Sequence, residues 1–515
     1  MKSTFFKSTI IVVVFTLISK ISGFGVDTLF AYKYGPSFSS DLYVFLVSIV
    51  TLIFISVGGA VSTTFSPILS TLIVNESSRE QNKFISNTLN IFLLFLICIS
   101  FSCFIFAKQI IELLAPGFVI NYSKFELNTA INSVKIMSFT LILIGIQSIL
   151  VGILNCYKNF RAAASVSIYT NFTLIIFLCF WHDKLGRYGI VYAITLGYII
   201  SILSLLPFVR KVGYQYTTFI SFKERRIKDM FKRIIPVFIG SSVLQINLII
   251  DSILASLIAS GALSILNYAS KLNVLVTHVI GLAIATVVFP TLSELAARNE
   301  KGEFINTLQN AVKMTSLVIV PITILIIALK EPIISILFER GKFTHEATLE
   351  TAKVLLFYSP AMIFITFREI FNRSFYSLAD TKTPMYISIL GVVINIVLKL
   401  IFVQYLSLSG IALATSLSVM IVTILQMKYL KTKRVILKGI PQYFLLILII
   451  SIPVYFCSKF TYVWVESFIN ISNNFAQMFS IGCAIIIGGI LFLILSIMFK
   501  ILNLNNLRSH IGRRN

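Results

Sequence analysis

Asp27-Thr28-Leu29-Phe30-Ala31 is answered by Asp251-Ser252-Ile253-Leu254-Ala255, roughly 224 residues later, and both lie in apolar stretches of membrane type. Working outward, Pro67-Ile68-Leu69-Ser70-Thr71-Leu72 returns as Pro290-Thr291-Leu292-Ser293-Glu294-Leu295. Asn171 falls opposite Asn395, and Gly189-Ile190 with Ala193 and Leu196 returns as Gly410-Ile411 with Ala414 and Leu417. Four matches in one order, with offsets of roughly 221 to 224, indicate a duplicated chain. Duplicated halves in a membrane protein point to two bundles working around a central site, as in many transporters.

Composition sets the solvent. Of 515 residues 57% are hydrophobic and only 12% charged, about half the charge of a soluble chain. Apolar runs of about 20 residues span a bilayer as helices. We count fourteen, starting near residues 8, 41, 88, 131, 161, 188, 234, 270, 311, 352, 384, 408, 439 and 476. The second is open to a break at Gly58-Gly59. The expected fold is an all-α polytopic membrane protein. Residues 1–209 form an N-lobe of six helices, 210–233 a basic cytoplasmic linker, 234–430 a C-lobe of six, and 431–515 two additional helices with a basic tail. The linker, with Phe219, Phe222, Met230 and Phe231 among basic residues, reads as an amphipathic segment on the membrane surface.

The net charge of +23 collects in alternate connections: Arg79 and Lys83, Lys158 and Arg161, Arg210 to Arg233, Lys428 to Lys438, and the tail. Basic residues near helix ends stay in the cytoplasm, so both termini are expected there. Topogenesis and contact with anionic headgroups account for this charge without a nucleic-acid partner. The N-terminal apolar run continues through Lys20 and Asp27 and reads as an uncleaved first helix. Six scattered cysteines show no metal-ligand or disulfide spacing. Neither a phosphate-cradling glycine loop nor an ordered catalytic triad is present, which disfavours an ATP-driven pump or a hydrolase.

Ionisable groups inside spanning helices mark cavities or partners. Lys20 and Asp27 share a face of the first helix, about 10 Å apart along its axis. Asp41 opens the second helix, and Lys271 stands near the start of the eighth. These four are the candidate lining of a cationic cavity for a phosphate-bearing ligand, weighed against internal ion pairs and snorkelling lysines. Arg368, Glu369 and Arg373 in the tenth helix read at least as well as structural pairs. Asp251, Asn395, Lys399 and Thr415 form a second constellation, with Asn395 and Lys399 one turn apart. It suits either a small cation or Lys399 as a tethered substitute for one, and the repeat places all four in one lobe.

Several stretches carry a resemblance: Leu113-Leu114-Ala115-Pro116-Gly117-Phe118; Phe338 through Gly341-Lys342-Phe343-Thr344; Phe375-Tyr376-Ser377 with Asp380-Thr381-Lys382-Thr383-Pro384; and the run from Gln245 through Asp251 and Lys271 to Pro290. Over nearly its whole length the chain resembles the MviN family of lipid II flippases, in the multidrug/oligosaccharidyl-lipid/polysaccharide exporter superfamily. The resemblance implies alternating access and movement of an undecaprenyl-diphosphate-linked peptidoglycan precursor across the bacterial cytoplasmic membrane. The two extra helices would hold its tail. It further implies no resident cofactor, with the drive left open between Na+ or H+ coupling and membrane potential. A monomer among membrane lipids, near cell-wall synthesis machinery, is expected. The chain departs from the pattern: Lys20 and Lys271 stand for arginines, Val26 replaces one, and Phe54 falls near another. Rival readings are a flippase for a different polyprenyl-linked saccharide, such as a capsule or teichoic-acid-type precursor, and a cation-coupled drug antiporter. A polymerase would need a large outer catalytic loop, which is lacking.

Overall fold

In the computed structural model, residues 2–53, 59–468, 474–499 and 501 are described, and every regular element longer than one turn among them is a helix. The first compact unit holds α1 (Lys2–Tyr34), α2 (Phe38–Ile53), α3 (Gly59–Asn75), α4 (Ser78–Ile105), α5 (Ala107–Leu114), α6 (Gly117–Ile120), α7 (Lys124–Cys156), α8 (Phe160–Phe180), α9 (Gly189–Lys211) and α10 (Arg225–Ile258). The second holds most or all of α11 (Ala262–Ala297), α12 (Lys301–Ala328), α13 (Lys330–Phe338), α14 (His345–Ser377), α15 (Lys382–Leu406), α16 (Leu408–Thr432), α17 (Ile440–Phe468) and α18 (Asn474–Met498). A helix covers each of the fourteen apolar segments, with α2 and α3 sharing the second. Among the described residues eleven helices are long and apolar enough to cross a membrane. Of the suspected break, Gly58 lies outside the described residues and Gly59 opens α3.

Helix is the form that satisfies every backbone polar group without water, which a bilayer demands. Hydroxyls in the spans follow the same logic. Thr315, Ser316, Thr323, Ser359 and Thr366 each donate to the carbonyl four residues back, at 2.7 Å, so these five buried hydroxyls carry no unmet donor. The first unit centres on Phe65, Phe84, Ile149, Ile153 and Leu205, with Met230 from the start of α10.

The units do not divide where the duplication does. The first runs through Ser264 and includes Gly341–Phe343. So α10, assigned by the repeat to a C-lobe starting at 234, packs in the first unit against α2, α3, α5 and α6. The additional pair α17 and α18 pack on each other and on α12 in the second. The physical tie on α10 is specific. Gly117 N–H donates to Ser256 Oγ at 3.2 Å and Asn121 Nδ2 to the Ser256 carbonyl at 2.8 Å.

The linker is tied to a neighbouring helix. Residues 214–220 form no regular element, and they are stitched to a polar face of α4. Asn87 accepts from Ser221 N–H at 2.8 Å and donates to the Ser221 carbonyl at 3.0 Å. Thr217 N–H donates to Ser86 Oγ at 3.0 Å, and Asn90 Nδ2 to the Phe219 carbonyl at 3.1 Å. Lys83 sits over the Phe219 ring, 4.6 Å from its centroid. A backbone outside helix and sheet needs other partners for its N–H and C=O groups, and the Asn/Ser stripe of α4 supplies several.

The Tyr-Ser…Asp-Thr-Lys-Thr-Pro stretch is a helix clasp. Asp380 accepts from Thr383 N–H at 3.0 Å and Thr383 Oγ1 at 2.8 Å, and pairs with Lys433 Nζ at 2.9 Å. It thereby caps α15 and ties the α14–α15 turn to the end of α16. Partial burial pulls the Asp380 carboxyl upward, but the Thr383 N–H, Lys433 and the Thr383 hydroxyl outweigh it and hold the pKa down to about 2. A depressed carboxylate stabilises the fold above its unfolded pKa, near 3.8, and that contribution fades as pH falls through the folded value. Asp380→Asn keeps a capping oxygen but loses the charge paired with Lys433, and is therefore expected to cost about 1 kcal/mol at neutral pH. In thermal unfolding, the gap between native and variant protein should be flat above pH ~4 and close on approach to pH ~2. A gap unchanged at low pH would refute the ionic cap.

Candidate functional site

The residues singled out as a cationic cavity separate into different jobs. On α1, Lys20 is exposed while Asp27 is buried. Between them α8 grips α1: Asn171 Nδ2 donates to the Ser19 carbonyl at 2.9 Å and to Ser22 Oγ at 3.0 Å. Gly23 lies beside the Asn171 amide, where a Cβ would meet Nδ2 at 3.4 Å, an ordinary contact. The Ser19-Lys20…Gly23…Asp27 stretch is thus a bracket that fixes the rotation of α1. That rotation decides which face carries the two charges. Val26 is 2% exposed, so the position that lacks an arginine is packed and apolar here. Phe54 lies outside the described residues. Lys271 is half-buried on α11, in the second unit.

Asp41 is placed otherwise than expected. Its Oδ1 accepts from Ser264 N–H at 2.8 Å, and its Oδ2 from Tyr122 OH at 2.8 Å and Gly261 N–H at 3.0 Å. It is 1% exposed and caps the start of α11 from another helix, where a carboxylate meets unpaired N–H groups and the positive helix end. A side chain so engaged holds a turn rather than lining a cavity. Around it Phe38, Phe118 and Tyr122 form an aromatic lid, with centroids 5.1 to 5.9 Å apart. Phe118 and Gly117 belong to the Ala-Pro-Gly-Phe stretch, whose role is now visible: Gly117 lies so close to the Ser256 carbonyl that any Cβ would collide with it. Gly261, at φ +82°, presses on Pro36, a backbone shape that glycine adopts at little strain. The Gly341–Phe343 strap joins this cap, with Lys342 N–H donating to the Tyr32 carbonyl at 3.0 Å.

The second constellation is divided. Asp251 stands on α10 in the first unit, and Asn395, Lys399 and Thr415 on α15 and α16 in the second, so the four are not gathered within one unit as the repeat suggested. Asn395 Nδ2 donates to Ser418 Oγ at 2.6 Å and faces the Ala414 carbonyl at 3.4 Å. Thr415 Oγ1 donates to the Ile411 carbonyl of its own helix at 3.1 Å. One turn after Asn395, Lys399 is 0% exposed. A wholly buried ammonium in a spanning helix is costly unless its surroundings are built for it. Asn171 and Asn395, matched by the repeat, do parallel work: each joins its helix to a neighbour, α8 to α1 and α15 to α16.

Arg368 and Glu369 approach only to 4.0 Å, and Arg373 lies over Phe289, 5.5 Å from the ring centroid. These contacts fit the structural reading of that trio. Sequence reasoning did not find the Tyr122–Gly261–Ser264 surroundings of Asp41, since no local pattern signals a cap reached from another helix. It also missed the α4 stripe of Asn82, Ser86, Asn87 and Asn90, although three asparagines on one helix face were a signal.

An all-helical chain with duplicated halves and ionisable side chains buried in apolar helices defines a polytopic membrane transporter. Residues 30–472 match the family model described as "Lipid II flippase MurJ", and the chain belongs to that family. A relative from Buchnera aphidicola subsp. Baizongia pistaciae, named "Probable lipid II flippase MurJ", is 30% identical over 417 residues, 80% of either chain. A solved structure described as "Lipid II flippase MurJ, inward closed conformation" superposes at TM-score 0.79 and 27% identity, covering 95% of this chain and 99% of that one. An inward-facing multidrug resistance MATE transporter of the MOP superfamily superposes at 0.68 but is 14% identical, over 84% of this chain and 99% of its own. That second likeness concerns the fold alone, so the drug-antiporter reading is not favoured. The chain is a multi-pass membrane transporter and not an enzyme.

Proposed function

We propose that this chain carries lipid II, the undecaprenyl-diphosphate-linked peptidoglycan precursor, from the inner to the outer leaflet by alternating access. The family match over residues 30–472 carries this reading. Its place is the bacterial cytoplasmic membrane, with both termini in the cytoplasm, as the alternate basic connections support. It works as a monomer among membrane lipids, beside the machinery that builds the wall. Lys20, Asp27 and Lys271 serve the headgroup. Lysines offer compact point charges to a diphosphate where arginine would offer a planar fork, so the headgroup is held by charge more than by bidentate geometry. No cofactor is needed. The drive is a Na+ or H+ gradient or the membrane potential acting elsewhere than at Lys399, whose buried ammonium stands as a resident cation beside Asn395.

Depletion of the protein in its own cells, followed by counting lipid II exposed on the outer leaflet, tests this reading. We expect outer lipid II to fall while the inner pool accumulates. Folded Asp27→Ala or Lys271→Ala protein should fail to restore it. Unchanged outer lipid II in cells without a second flippase would sink the assignment and turn attention to another polyprenyl-linked saccharide.

A further inference from the structure

We propose that the groove between α15 and α16, at their basic ends, binds an anionic glycerophospholipid as a bound structural lipid, independently of whatever cargo the protein moves. The groove encloses about 320 Å³ and is lined by Thr383, Tyr386, Ile387, Leu390, Leu425 and Tyr429. Its extent has a cause at each end. On one side Gly391 draws the helices together, because its missing side chain leaves the space that Val422 fills. On the other the Asp380–Lys433 clasp ties the α15 start to the α16 end.

The lining is graded. Ile387, Leu390 and Leu425 make an apolar slot. Tyr386 and Tyr429 stand at its mouth, 63% and 47% exposed; tyrosine, with its apolar ring and polar tip, favours the depth of lipid headgroups. The charge at the mouth is one-sided. Lys382 lies one helical turn before Tyr386, so it shares the groove face. Lys428, Lys431 and Arg434 flank Tyr429 and are exposed, and the chain from Leu425 to Lys438 contains no acidic residue. The nearby acid Asp380 is already engaged by Thr383 and Lys433. An acyl chain fits the slot and a phosphate fits the lysines and tyrosine hydroxyls. A free phosphate would leave the slot empty, and a zwitterionic lipid would bring its own cation against four others.

The test is native mass spectrometry of the full-length, delipidated protein in detergent. Phosphatidylglycerol and phosphatidylcholine of identical chains are offered at equal concentration. We expect phosphatidylglycerol to be retained at least roughly fivefold better, the factor that one lysine at an anionic surface contributes. Lys382→Gln with Lys428→Gln should abolish the preference, whereas the matching pair of arginine substitutions should keep it. Leu390→Trp should fill the slot and lower retention of both lipids. A pair of the same chemistry that does not line the groove, Arg210→Gln with Lys211→Gln, should leave the preference intact, and all variants should unfold at the native temperature. Equal retention of the two lipids, a preference surviving the first pair, or an equal loss in the control pair would each overturn the proposal in favour of general surface attraction.

Discussion

Asp41→Ala should cost the protein about 3–5 kcal/mol, the penalty for removing one side of a buried, charge-assisted network. The alanine leaves the Gly261 and Ser264 N–H groups and the Tyr122 hydroxyl without the oxygens that now accept from them at 2.8 to 3.0 Å, under an aromatic lid that limits water. The N-terminus of α11 would lose its cap, and the turn after α10 would lose its anchor. Tyr122→Phe removes the hydroxyl that donates to Asp41 and accepts from Gly261 N–H at 3.1 Å, but it leaves both N–H bonds to the carboxylate, so it should cost only about 1 kcal/mol. Asp41→Asn, which keeps acceptor capacity but loses charge, should fall between. Thermal unfolding of the purified protein would rank the three. If Asp41→Ala unfolds no more readily than Tyr122→Phe, the carboxylate is not what holds this turn.

Lys399 carries the second large effect. Reading its buried ammonium as a resident cation predicts that the stability of the native protein is indifferent to exchanging Na+ for a bulky organic cation. Lys399→Asp reverses the charge at a position that is 0% exposed. It should destabilise the second unit by about 3–5 kcal/mol and make the unfolding temperature rise with added Na+, because a mobile cation can then neutralise the carboxylate. Lys399→Met keeps the apolar stem and removes the charge. It should be destabilised without any rescue by Na+. A native protein that is itself stabilised by Na+, or a Lys399→Asp variant that ignores it, would rule out the tethered-cation reading.

The bilayer class, the duplication and the candidate charges were all legible because a membrane writes them in one dimension. A span needs about 20 apolar residues in a row, so fourteen segments could be marked from composition alone. Asn171 and Asn395 are paired by register in the sequence, and both join neighbouring helices. The roles of individual charges were much less legible. Asp27 and Asp41 look alike in sequence, as acids near the ends of apolar runs. Only one of them is consumed as a cap, and its partners lie some 80 and 220 residues away along the chain. The linker's contacts were hidden for a related reason: its aromatic and basic residues suggest an amphipathic segment at the membrane surface, and nothing in them points to the asparagines and serine of α4 that bind its backbone.

What the sequence determined by itself is therefore the solvent, the helices and the doubled pattern, because hydrophobicity, helical hydrogen bonding and register are local or periodic properties. The tertiary structure decided which helices share a compact unit, drawing α10 into the first despite the repeat. It also decided that Asp41 caps, that Asn171 orients the charged face of α1, and that Lys399 is sealed from water. Those outcomes rest on the close approach at Gly117 and on hydrogen bonds between residues far apart in the chain, which form only once the helices have packed.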